Sequence, residues 1–370
     1  MIKALIALCI CLLIPVIAIA QKPPLDTTAI DAYIQQEMKT DRIPGLALAI
    51  VYQDQVVYTQ GYGVSGTDKQ TITPDTSFLL GSMSKSFTAL AIMQLVEANM
   101  IDLNAPVRQY LPSFTIQGNV DDITIAHLLH HTSGIAEYAP RAKGPDQSLN
   151  AQIRALSADT LTSQPGTVYE YSSPNYIVLG GVIEAVSQQS FPDYIQTHIF
   201  EPLQMDHSYT SLSVAQEQGD MSSGYQYLFG QPVIADFPEE PGRLPAASLI
   251  SSASDLARYM TMQLNGGRYN NETLLSPEGI QQMHTPDAPL SIYGMGWRIS
   301  EIHGALAVHH GGILPNFRGK MVMLPDTGWG VVILTNVSST PATDPSSHRM
   351  ADAIAGMLLE GTFEGTPAGE

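Results

Sequence analysis

The hydrophobic pattern of this chain changes period along its length, and those changes limit the folds that it can adopt. Two apolar segments, 46–52 and 56–60, flank a short polar turn and predict a β-hairpin. From about residue 81 to residue 290 the pattern is mostly helical, and after residue 290 it returns to period two. Strands at both ends of a chain with helices between them predict one sheet built from both termini, with a helical region inserted.

The predicted fold class is therefore α+β, with an antiparallel sheet flanked by helices and an inserted all-helical region. The sheet-containing lobe takes residues 21–80 and 291–370, and the mostly helical lobe takes residues 81–290. Predicted helices include 26–42, 174–186, 191–200, 256–264 and 346–359, and the late strands are 293–301, 305–310, 317–324 and 329–336. Helix starts are indicated by capping side chains at Thr124, Ser252 and Ser276.

The first twenty residues have the pattern of a secretory signal peptide. One lysine precedes an apolar run that ends in Ala18-Ile19-Ala20, a small-residue cleavage pattern. We therefore expect residues 1–20 to be removed and the protein to be periplasmic or secreted. An uncleaved membrane anchor is the alternative, and it is the one route by which we expect membrane contact.

Both cysteines of the chain, Cys9 and Cys11, lie inside that segment. The remaining chain would have no disulfide, no cysteine-ligated metal and no thiol nucleophile. The formal net charge is −18, which repels phosphate backbones and makes nucleic acid a poor candidate partner. A small-molecule or peptide substrate is the expected partner, and the oligomeric state is not readable from the sequence.

Ser82 and Lys85 open a segment, 81–97, whose apolar periodicity predicts a buried helix. They lie three residues apart, one turn of helix, so their side chains share a face. A serine hydroxyl needs a neighbouring base to become a nucleophile, and the N–H groups at a helix N-terminus favour developing negative charge. The pattern thus indicates a catalytic serine with an adjacent amine. The alternative is a capping serine beside a solvated lysine.

Two later segments carry further candidate chemistry. Tyr171 lies in a Tyr-Ser-Ser segment just before a predicted helix, and an adjacent ammonium is expected to lower the pKa of its phenol. His310 ends a predicted strand and is followed by Gly311 and Gly312, which allow close backbone approach to a substrate. The alternative for the tyrosine segment is that its tyrosines are ordinary half-buried aromatics. The alternative for the histidine segment is a surface turn.

Together these three motifs resemble the serine β-lactamase and penicillin-binding family, especially its class C β-lactamase and DD-peptidase branch. The resemblance covers nearly the whole chain after residue 20. It extends to three further segments of the sequence, which are Leu128–Gly134, Tyr293–Trp297 and His310–Pro315. It implies a sheet flanked by helices beside an all-helical lobe, with the active site in the groove between them.

The resemblance also implies roles for single residues. Ser82 would be the acylated nucleophile, while Lys85 and Tyr171 would share the movement of its proton. His310 matches a Lys-or-His position on the edge strand and would orient substrate and assist protonation of the leaving group. The backbone N–H groups of Ser82 and Ile313 would form the oxyanion hole.

The expected substrate-binding residues are Ser173, Gly311, Gly312 and Arg318. Ser173 departs from the family, which commonly has Asn there, and the shorter hydroxyl puts contact with Lys85 and with a substrate amide carbonyl in doubt. Asn175, two residues on, is not expected to replace it. Asn316 stands where relatives usually carry glycine after a proline, and we expect that change to be silent because Asn tolerates left-handed backbone.

Alternative functions differ in what they require of the sequence. A metal hydrolase would use His127, His130 and His131, but no H-E-x-x-H glutamate accompanies them, so no metal or cofactor is expected. A non-catalytic penicillin-binding sensor would need slow deacylation or a lost nucleophile. Among hydrolases we rank an esterase or amidase first, then a D-amino-acid or peptidoglycan DD-peptidase, then a class C-type β-lactamase.

Overall fold

The structure is a computed structural model that describes residues 25–139, 141–287, 289–337 and 346–363. The predicted signal peptide, residues 1–20, lies outside the described residues. The helices within these ranges are α1 (Thr27–Asp41), α2 (Ser84–Glu97), α3 (Val107–Tyr110), α4 (Ile125–Leu129), α5 (Leu149–Ala155), α6 (Ser173–Ser187), α7 (Phe191–Ile195), α8 (Leu212–Gln218), α9 (Ala253–Leu264), α10 (Pro277–Met283) and α11 (Ser346–Phe363).

The strands in the same ranges are β1 (Gly45–Tyr52), β2 (Gln55–Ser65), β3 (Gln70–Thr71), β4 (Ser77–Leu79), β5 (Tyr225–Leu228), β6 (Gln231–Ile234), β7 (Ile250–Ser252), β8 (Arg268–Tyr269), β9 (Glu272–Thr273), β10 (Arg298–Ile302), β11 (Ala305–Ile313), β12 (Arg318–Leu324) and β13 (Trp329–Thr335).

Strands from both ends of the chain form one antiparallel sheet, as the sequence predicts. Its order is β10-β11-β12-β13-β1-β2-β3, so the first strand of the chain pairs with the last. In that pairing Leu46 lies opposite Thr335, and Tyr52 lies opposite Trp329. The alternation of side chains along β1 then divides the core into two layers, because successive residues of a strand point to opposite faces.

Helices cover both faces of this sheet. Leu48 packs in the layer that includes α1 and α11, whereas Ala49 packs in the larger layer that includes α2 and α9. A strand covered on both faces reads as a continuous apolar run, which is why β1 shows no polar alternation. Helix α2 is buried over most of its circumference, and its buried residues include the polar Ser84, Lys85, Ser86 and Thr88 as well as apolar side chains.

The predicted caps are confirmed. Thr124, Ser252 and Ser276 each accept a hydrogen bond from a backbone N–H in the first turn of α4, α9 and α10. Residues 196–200 form a π-helical turn at the end of α7 instead of continuing as α-helix.

The middle of the chain is less uniformly helical than the sequence predicts. The described residues between 81 and 290 also contain the β5–β6 and β8–β9 pairs, and β7 pairs with β4. Strands of two to four residues are too short to show period two, and their pairing depends on tertiary neighbours. The boundaries of the two lobes stay a prediction. None of the helices within the described residues has both the length and the apolar character that a membrane crossing needs.

Candidate active site

The turn that carries Ser82 is held against the end of β11. Residues Gly81–Met83 form one 3-10 turn that leads into α2, and Gly81 has a φ of +56°. A Cβ atom on Gly81 would stand 2.8 Å from the backbone nitrogen of Ile313. Glycine is therefore required here for backbone conformation and for close approach. As a result, Ser82 and the backbone of Ile313 come together from distant parts of the sequence.

Lys85 lies beneath Ser82 and has no exposed surface. Its Nζ atom donates to Ser82 Oγ at 3.1 Å, to Ser173 Oγ at 3.3 Å and to the carbonyl oxygen of Ala246 at 2.9 Å. Burial lowers the pKa of Lys85 to about 7, because a charged amine is poorly solvated there, while Glu137 acts in the raising direction. A fraction of Lys85 is therefore a neutral amine near pH 7, able to accept a proton.

Tyr171 lies in the same cluster, with Lys85 Nζ 5.0 Å from the centre of its ring. The strand-like approach to α6 is held by His131, whose Nδ1 accepts a hydrogen bond from the Ser172 N–H at 3.0 Å. The predicted direction of the Tyr171 pKa is wrong. Burial raises it, and a side-chain hydrogen bond with Ser82 lowers it by less. Tyr171 is therefore a neutral hydroxyl near pH 7, suited to relaying a proton and not to holding a charge as phenolate.

His310 is buried, and both of its ring nitrogens have partners. Nδ1 lies 2.8 Å from the carbonyl oxygen of Gly311, and Nε2 lies 2.9 Å from the Tyr293 hydroxyl. A carbonyl only accepts, so Nδ1 carries the hydrogen and Nε2 accepts from Tyr293. Burial lowers the pKa of His310 well below its ordinary value. His310 is thus a neutral ring whose one N–H is already used, and this arrangement does not supply a proton to a leaving group.

The strand position of His310 also differs from the prediction. β11 is the second strand of the sheet and not its edge, because β10 pairs beside it. However, that pairing runs only as far as Arg298 opposite His309. From His310 to Ile313 the strand pairs with β12 alone, so this segment is locally an edge that faces the Ser82 turn.

The two glycines after His310 make room for protein atoms. A Cβ atom on Gly311 would stand 2.3 Å from the ring of His348 on α11, and one on Gly312 would stand 1.9 Å from the carbonyl oxygen of Leu80. The structure therefore gives Gly311 a role in helix packing and Gly312 a role in seating β11 on the turn that carries Ser82. Both glycines fix where the Ile313 backbone lies.

Ser173 contacts Lys85 in spite of its short side chain. It also donates to a carboxylate that the sequence did not single out, from its backbone N–H to Glu137 Oε2 at 2.5 Å and from Oγ to Oε1 at 3.1 Å. Glu137 follows the His-Thr-Ser-Gly segment by three residues, in a loop with no periodicity to mark it. Asn175 is fully buried and accepts from Ser133 Oγ at 2.7 Å, so it does not replace the missing asparagine.

The predicted Arg318 is engaged in its own loop, and a second arginine, which was not predicted, lies at the site. The Arg318 guanidinium donates to the carbonyl oxygens of Leu314 and Phe317, in its own loop, and burial lowers its pKa to about 10. The cation that lies over the site is Arg298, whose guanidinium carbon is 5.1 Å from the ring centre of Tyr171. Arg298 follows the Tyr-Gly-Met-Gly-Trp segment directly, and that adjacency was the available sequence signal.

The three clustered histidines have separate structural partners. The Nδ1 atoms of His127, His130 and His131 meet the Thr124 N–H, the Tyr293 carbonyl oxygen and the Ser172 N–H respectively. Throughout the described ranges, no three His, Cys, Asp or Glu side chains gather as metal ligands do. The helical spacing of these histidines is thus used for capping and loop anchoring.

Asn316 makes a side-chain contact that glycine could not make. Its backbone is not among the left-handed residues, and its Nδ2 donates to the carbonyl oxygen of Ala235 at 2.7 Å. This bond ties the β11–β12 loop to the segment after β6. Beside it lies a cavity of about 420 Å³, whose lining includes Leu79, Phe237 and Phe317. Most of its lining comes from residues 212–239, with Leu79 before Ser82 and Asn316 and Phe317 after Ile313 completing it.

A comparison with protein families gives a match that covers this whole arrangement. The family model described as Beta-lactamase matches residues 30–367, a span that contains Ser82, Lys85, Tyr171 and His310. The chain belongs to the Beta-lactamase family. The resemblance to serine β-lactamases and penicillin-binding proteins is confirmed, and so is the α+β fold with an antiparallel sheet.

Similar proteins extend this result. Protein flp of Staphylococcus aureus (strain MW2) is 32% identical over 320 residues, which are 84% of this chain and 63% of that protein. Unguisins hydrolase ungD' of Aspergillus campestris is 28% identical over 367 residues, which are 93% of this chain and 66% of that protein. The chain thus spans about two thirds of the length of these curated relatives.

A solved structure of a penicillin-binding protein homologue has the same fold. The octameric penicillin-binding protein homologue from Pyrococcus abyssi is similar to this chain with a TM-score of 0.81 and 29% sequence identity. The similarity covers 91% of this chain and 78% of that one. It therefore includes the sheet and the helices on both of its faces.

Proposed function

We propose that this protein is a serine hydrolase that cleaves an ester or amide through an acyl-enzyme on Ser82. The observation that carries the proposal is the buried contact of Lys85 Nζ with Ser82 Oγ, at 3.1 Å, together with a pKa of Lys85 lowered to about 7. A nucleophile beside a base that is partly neutral at working pH is what acyl transfer requires. Membership of the Beta-lactamase family and a relative named as a hydrolase support it.

Acylation follows from these contacts. The neutral amine of Lys85 takes the hydroxyl proton of Ser82 as the Oγ atom forms a bond to the substrate carbonyl carbon. The negative charge on the carbonyl oxygen is received by the N–H groups of Ser82 and Ile313, whose backbones the fold brings together. When the bond to the leaving group breaks, the proton on Lys85 passes to that group through the hydroxyl of Tyr171.

Deacylation uses the same groups in reverse. A water molecule gives its proton to Lys85, and its oxygen forms a bond to the acyl carbon. The bond to Ser82 Oγ then breaks, and Oγ regains the proton from Lys85. His310 keeps the end of β11 in place in both steps through its bonds to Tyr293 and Gly311, and it transfers no proton itself.

The substrate ranking follows the groups beside Ser82. An ester or amide of undefined class comes first, a D-amino-acid or peptidoglycan DD-peptidase substrate second, and a β-lactam third. Asn at the third position of the tyrosine motif is replaced by Ser173, which is hydrogen-bonded to a carboxylate, and Arg318 is engaged with its own loop. Neither residue favours the carboxylate and acylamide groups of penicillins. A non-catalytic penicillin-binding sensor is the remaining candidate.

We also propose that the protein is exported to the periplasm or secreted, in keeping with the apolar segment and cleavage pattern of residues 1–20. Cell fractionation with immunodetection, comparing the full chain with a form lacking residues 1–20, tests this. Equal cytoplasmic amounts of both forms would contradict export.

One experiment separates the candidate functions. The intact mass of the wild type and of Ser82→Ala is measured during incubation with 4-nitrophenyl butyrate and, separately, with penicillin G, and nitrophenol release is followed in parallel. The proposal expects Ser82-dependent turnover of the ester. A stable penicillin adduct without turnover of either compound would favour the sensor, and equal turnover by both proteins would exclude Ser82 as the nucleophile.

A further inference from the structure

His131 occupies a backbone position that usually carries a glycine or an asparagine. It directly follows the C-cap residue of α4, and its φ of +59° lies in the left-handed region. Its N–H donates to the Leu128 carbonyl oxygen at 3.4 Å, and the N–H of Thr132 donates to that of His127 at 2.9 Å. These two bonds form the Schellman motif of a helix end, whose left-handed residue is most often glycine. A histidine here adds a side chain that the helix end itself does not require.

The side chain of His131 holds the segment that carries Tyr171. Its Nδ1 atom lies 3.0 Å from the backbone nitrogen of Ser172 and 3.2 Å from Asn175 Nδ2, and both of these groups donate. The backbone carbonyl oxygen of His131 accepts from the Glu170 N–H at 2.9 Å. One residue therefore anchors the backbone on both sides of Tyr171.

The ring of His131 also contacts the aromatic side chains of the site. It is fully buried, and its centroid lies 4.5 Å from that of Tyr171 and 4.5 Å from that of Tyr293. The Tyr293 hydroxyl in turn donates to His310 Nε2 at 2.9 Å. The His131 ring is thus in contact both with the tyrosine of the proton relay and with the tyrosine that holds the end of β11.

The contacts of Nδ1 require one protonation state of His131. Because the Ser172 N–H can only donate, Nδ1 is the acceptor, and the hydrogen of the neutral ring is on Nε2. An imidazolium would place a second N–H against that of Ser172. Burial lowers the pKa of His131 well below its ordinary value, and the charge of Lys85 acts in the same direction. Nε2 has no hydrogen-bond partner within the described residues, so the hydrogen bonds of this ring are all made through Nδ1.

We propose that His131 is the positioning residue of Tyr171 and that it acts through the acceptor atom Nδ1. This inference rests on the proposed function, in which the hydroxyl of Tyr171 passes a proton to the leaving group. His131 exchanges no proton itself, because two donors already occupy Nδ1. Loss of this acceptor should therefore impair proton transfer to the leaving group, while Lys85 keeps its contact with Ser82.

Two amide variants separate the acceptor atom from the rest of the side chain. In His131→Asn the amide oxygen is bonded to Cγ, as Nδ1 is in histidine, and asparagine tolerates left-handed backbone. In His131→Gln the amide oxygen lies one bond further out and misses the position of Nδ1. Glutamine also adopts positive φ elsewhere in this chain, at Gln53, Gln188 and Gln204. His131→Asn should therefore retain the position of Tyr171, and His131→Gln should lose it.

The readout is the dependence of the rate on the leaving group. kcat/KM, which reports acylation, is measured for phenyl butyrate and for 4-nitrophenyl butyrate, two esters with the same acyl group. 4-Nitrophenolate leaves readily as an anion, whereas the more basic phenolate gains from protonation as it leaves. We expect His131→Gln to lower kcat/KM for phenyl butyrate by on the order of tenfold more than for the nitrophenyl ester, as a misplaced proton donor would.

His131→Asn should keep the ratio of the two kcat/KM values within about twofold of the wild type, because it keeps the acceptor. His127→Gln is the matched control, since His127 lies on the same helix and its Nδ1 meets the Thr124 N–H instead of the tyrosine segment. It should leave the ratio unchanged. A merely structural role of His131 would lower both values of kcat/KM by the same factor.

A double variant tests whether His131 acts through Tyr171. His131→Gln combined with Tyr171→Phe should be no slower on either ester than Tyr171→Phe alone, because the hydroxyl that His131 positions is already absent. Losses that multiply in the double variant would show that His131 acts by another route and would overturn the inference.

The failure of this inference is distinguishable from failure of the proposed function. If ester turnover is absent or independent of Ser82, the proposed function fails and this inference fails with it. If turnover depends on Ser82 but His131→Gln has the wild-type ratio, or His131→Asn loses as much as His131→Gln, the inference alone is overturned. Should His131→Gln not fold, His131→Phe takes its place, since it keeps a ring and removes the acceptor, and an unchanged ratio would again overturn the inference.

Discussion

Lys85 Nζ lies 3.1 Å from Ser82 Oγ and is shut off from solvent by the residues around it. As an ammonium it would donate to three acceptors, Ser82, Ser173 and the Ala246 carbonyl, which matches its three hydrogens. Without one proton it keeps two of these bonds and can accept from Ser82. The same geometry therefore accommodates both protonation states, as a proton acceptor requires.

The rate of acylation should rise with pH through about 7, where burial places the pKa of Lys85. Below that value Lys85 is protonated and cannot take the serine proton. The pKa values of His131 and His310 are lowered well below this range by burial, and that of Tyr171 is raised, so none of the three produces this rise. The check is kcat/KM for 4-nitrophenyl butyrate from about pH 5.5 to about pH 9. A flat profile would exclude Lys85 as the base.

Ser82→Ala should abolish covalent labelling by fluorophosphonate or penicillin probes while the protein stays folded. Ser86→Ala is the control, because Ser86 lies on the same helix but its hydroxyl donates to the carbonyl oxygen of Met83 at 2.9 Å. Labelling is measured by intact mass, and folding by circular dichroism. Undiminished labelling of Ser82→Ala would show that another residue is the nucleophile.

Tyr171→Phe should slow acylation by on the order of a hundredfold, the usual size of a lost proton-transfer group. The ring and its packing on His131, at a centroid distance of 4.5 Å, are retained, so stability should change little. Tyr169→Phe is the matched control, since Tyr169 lies two residues earlier and outside the motif. Acylation rates are measured by stopped flow. Slower acylation by Tyr169→Phe but not by Tyr171→Phe would show that Tyr169 is the proton-transfer group. Unchanged acylation rates in both variants would leave Lys85 as the proton-transfer group without a tyrosine.

Lys85→Met should raise the thermal midpoint while removing activity. Burial lowers the folded-state pKa of Lys85 to about 7 from the ordinary value of 10.5. The loss of folding stability caused by burying the ammonium is therefore greatest below about pH 7, and it decreases as the pH rises toward 10.5. The gain from Met should therefore be larger at about pH 6.5 than at about pH 9.5, by roughly a few degrees. Calorimetric midpoints at the two pH values measure it. An equal gain at both would contradict the lowered pKa.

Chelators should leave the activity unchanged, because His127, His130 and His131 are each bonded to a separate backbone group. Ester turnover is compared before and after dialysis against EDTA. Loss of activity that zinc restores would support the metal-hydrolase alternative instead.

Local periodicity was sufficient to predict the elements that carry the candidate catalytic residues. Three residues separate Ser82 from Lys85 on a helix, and this spacing places them on one face in any fold. The β1–β2 hairpin and the caps at Thr124, Ser252 and Ser276 were also readable, because turn and cap residues act on their immediate neighbours. All four late strands were predicted, although the first of them begins at Arg298 and not at residue 293.

Contacts between distant segments could not be predicted in this way. Glu137 and Arg298 reach the site from a loop and from a strand start, and neither position has a periodic signal. The bond of Asn316 to Ala235 likewise depends on how two loops meet.

The sequence by itself determined which residues are chemically able to act: a serine, an amine one helical turn away, a tyrosine before a helix and a histidine at a strand end. Only the tertiary structure decided their protonation and partners. The pKa of Lys85 falls, that of Tyr171 rises and the one N–H of His310 is used internally, because each depends on burial and on neighbours far away in the chain. Spacing along a helix is a local property, whereas the solvation of a charge is set by everything packed around it.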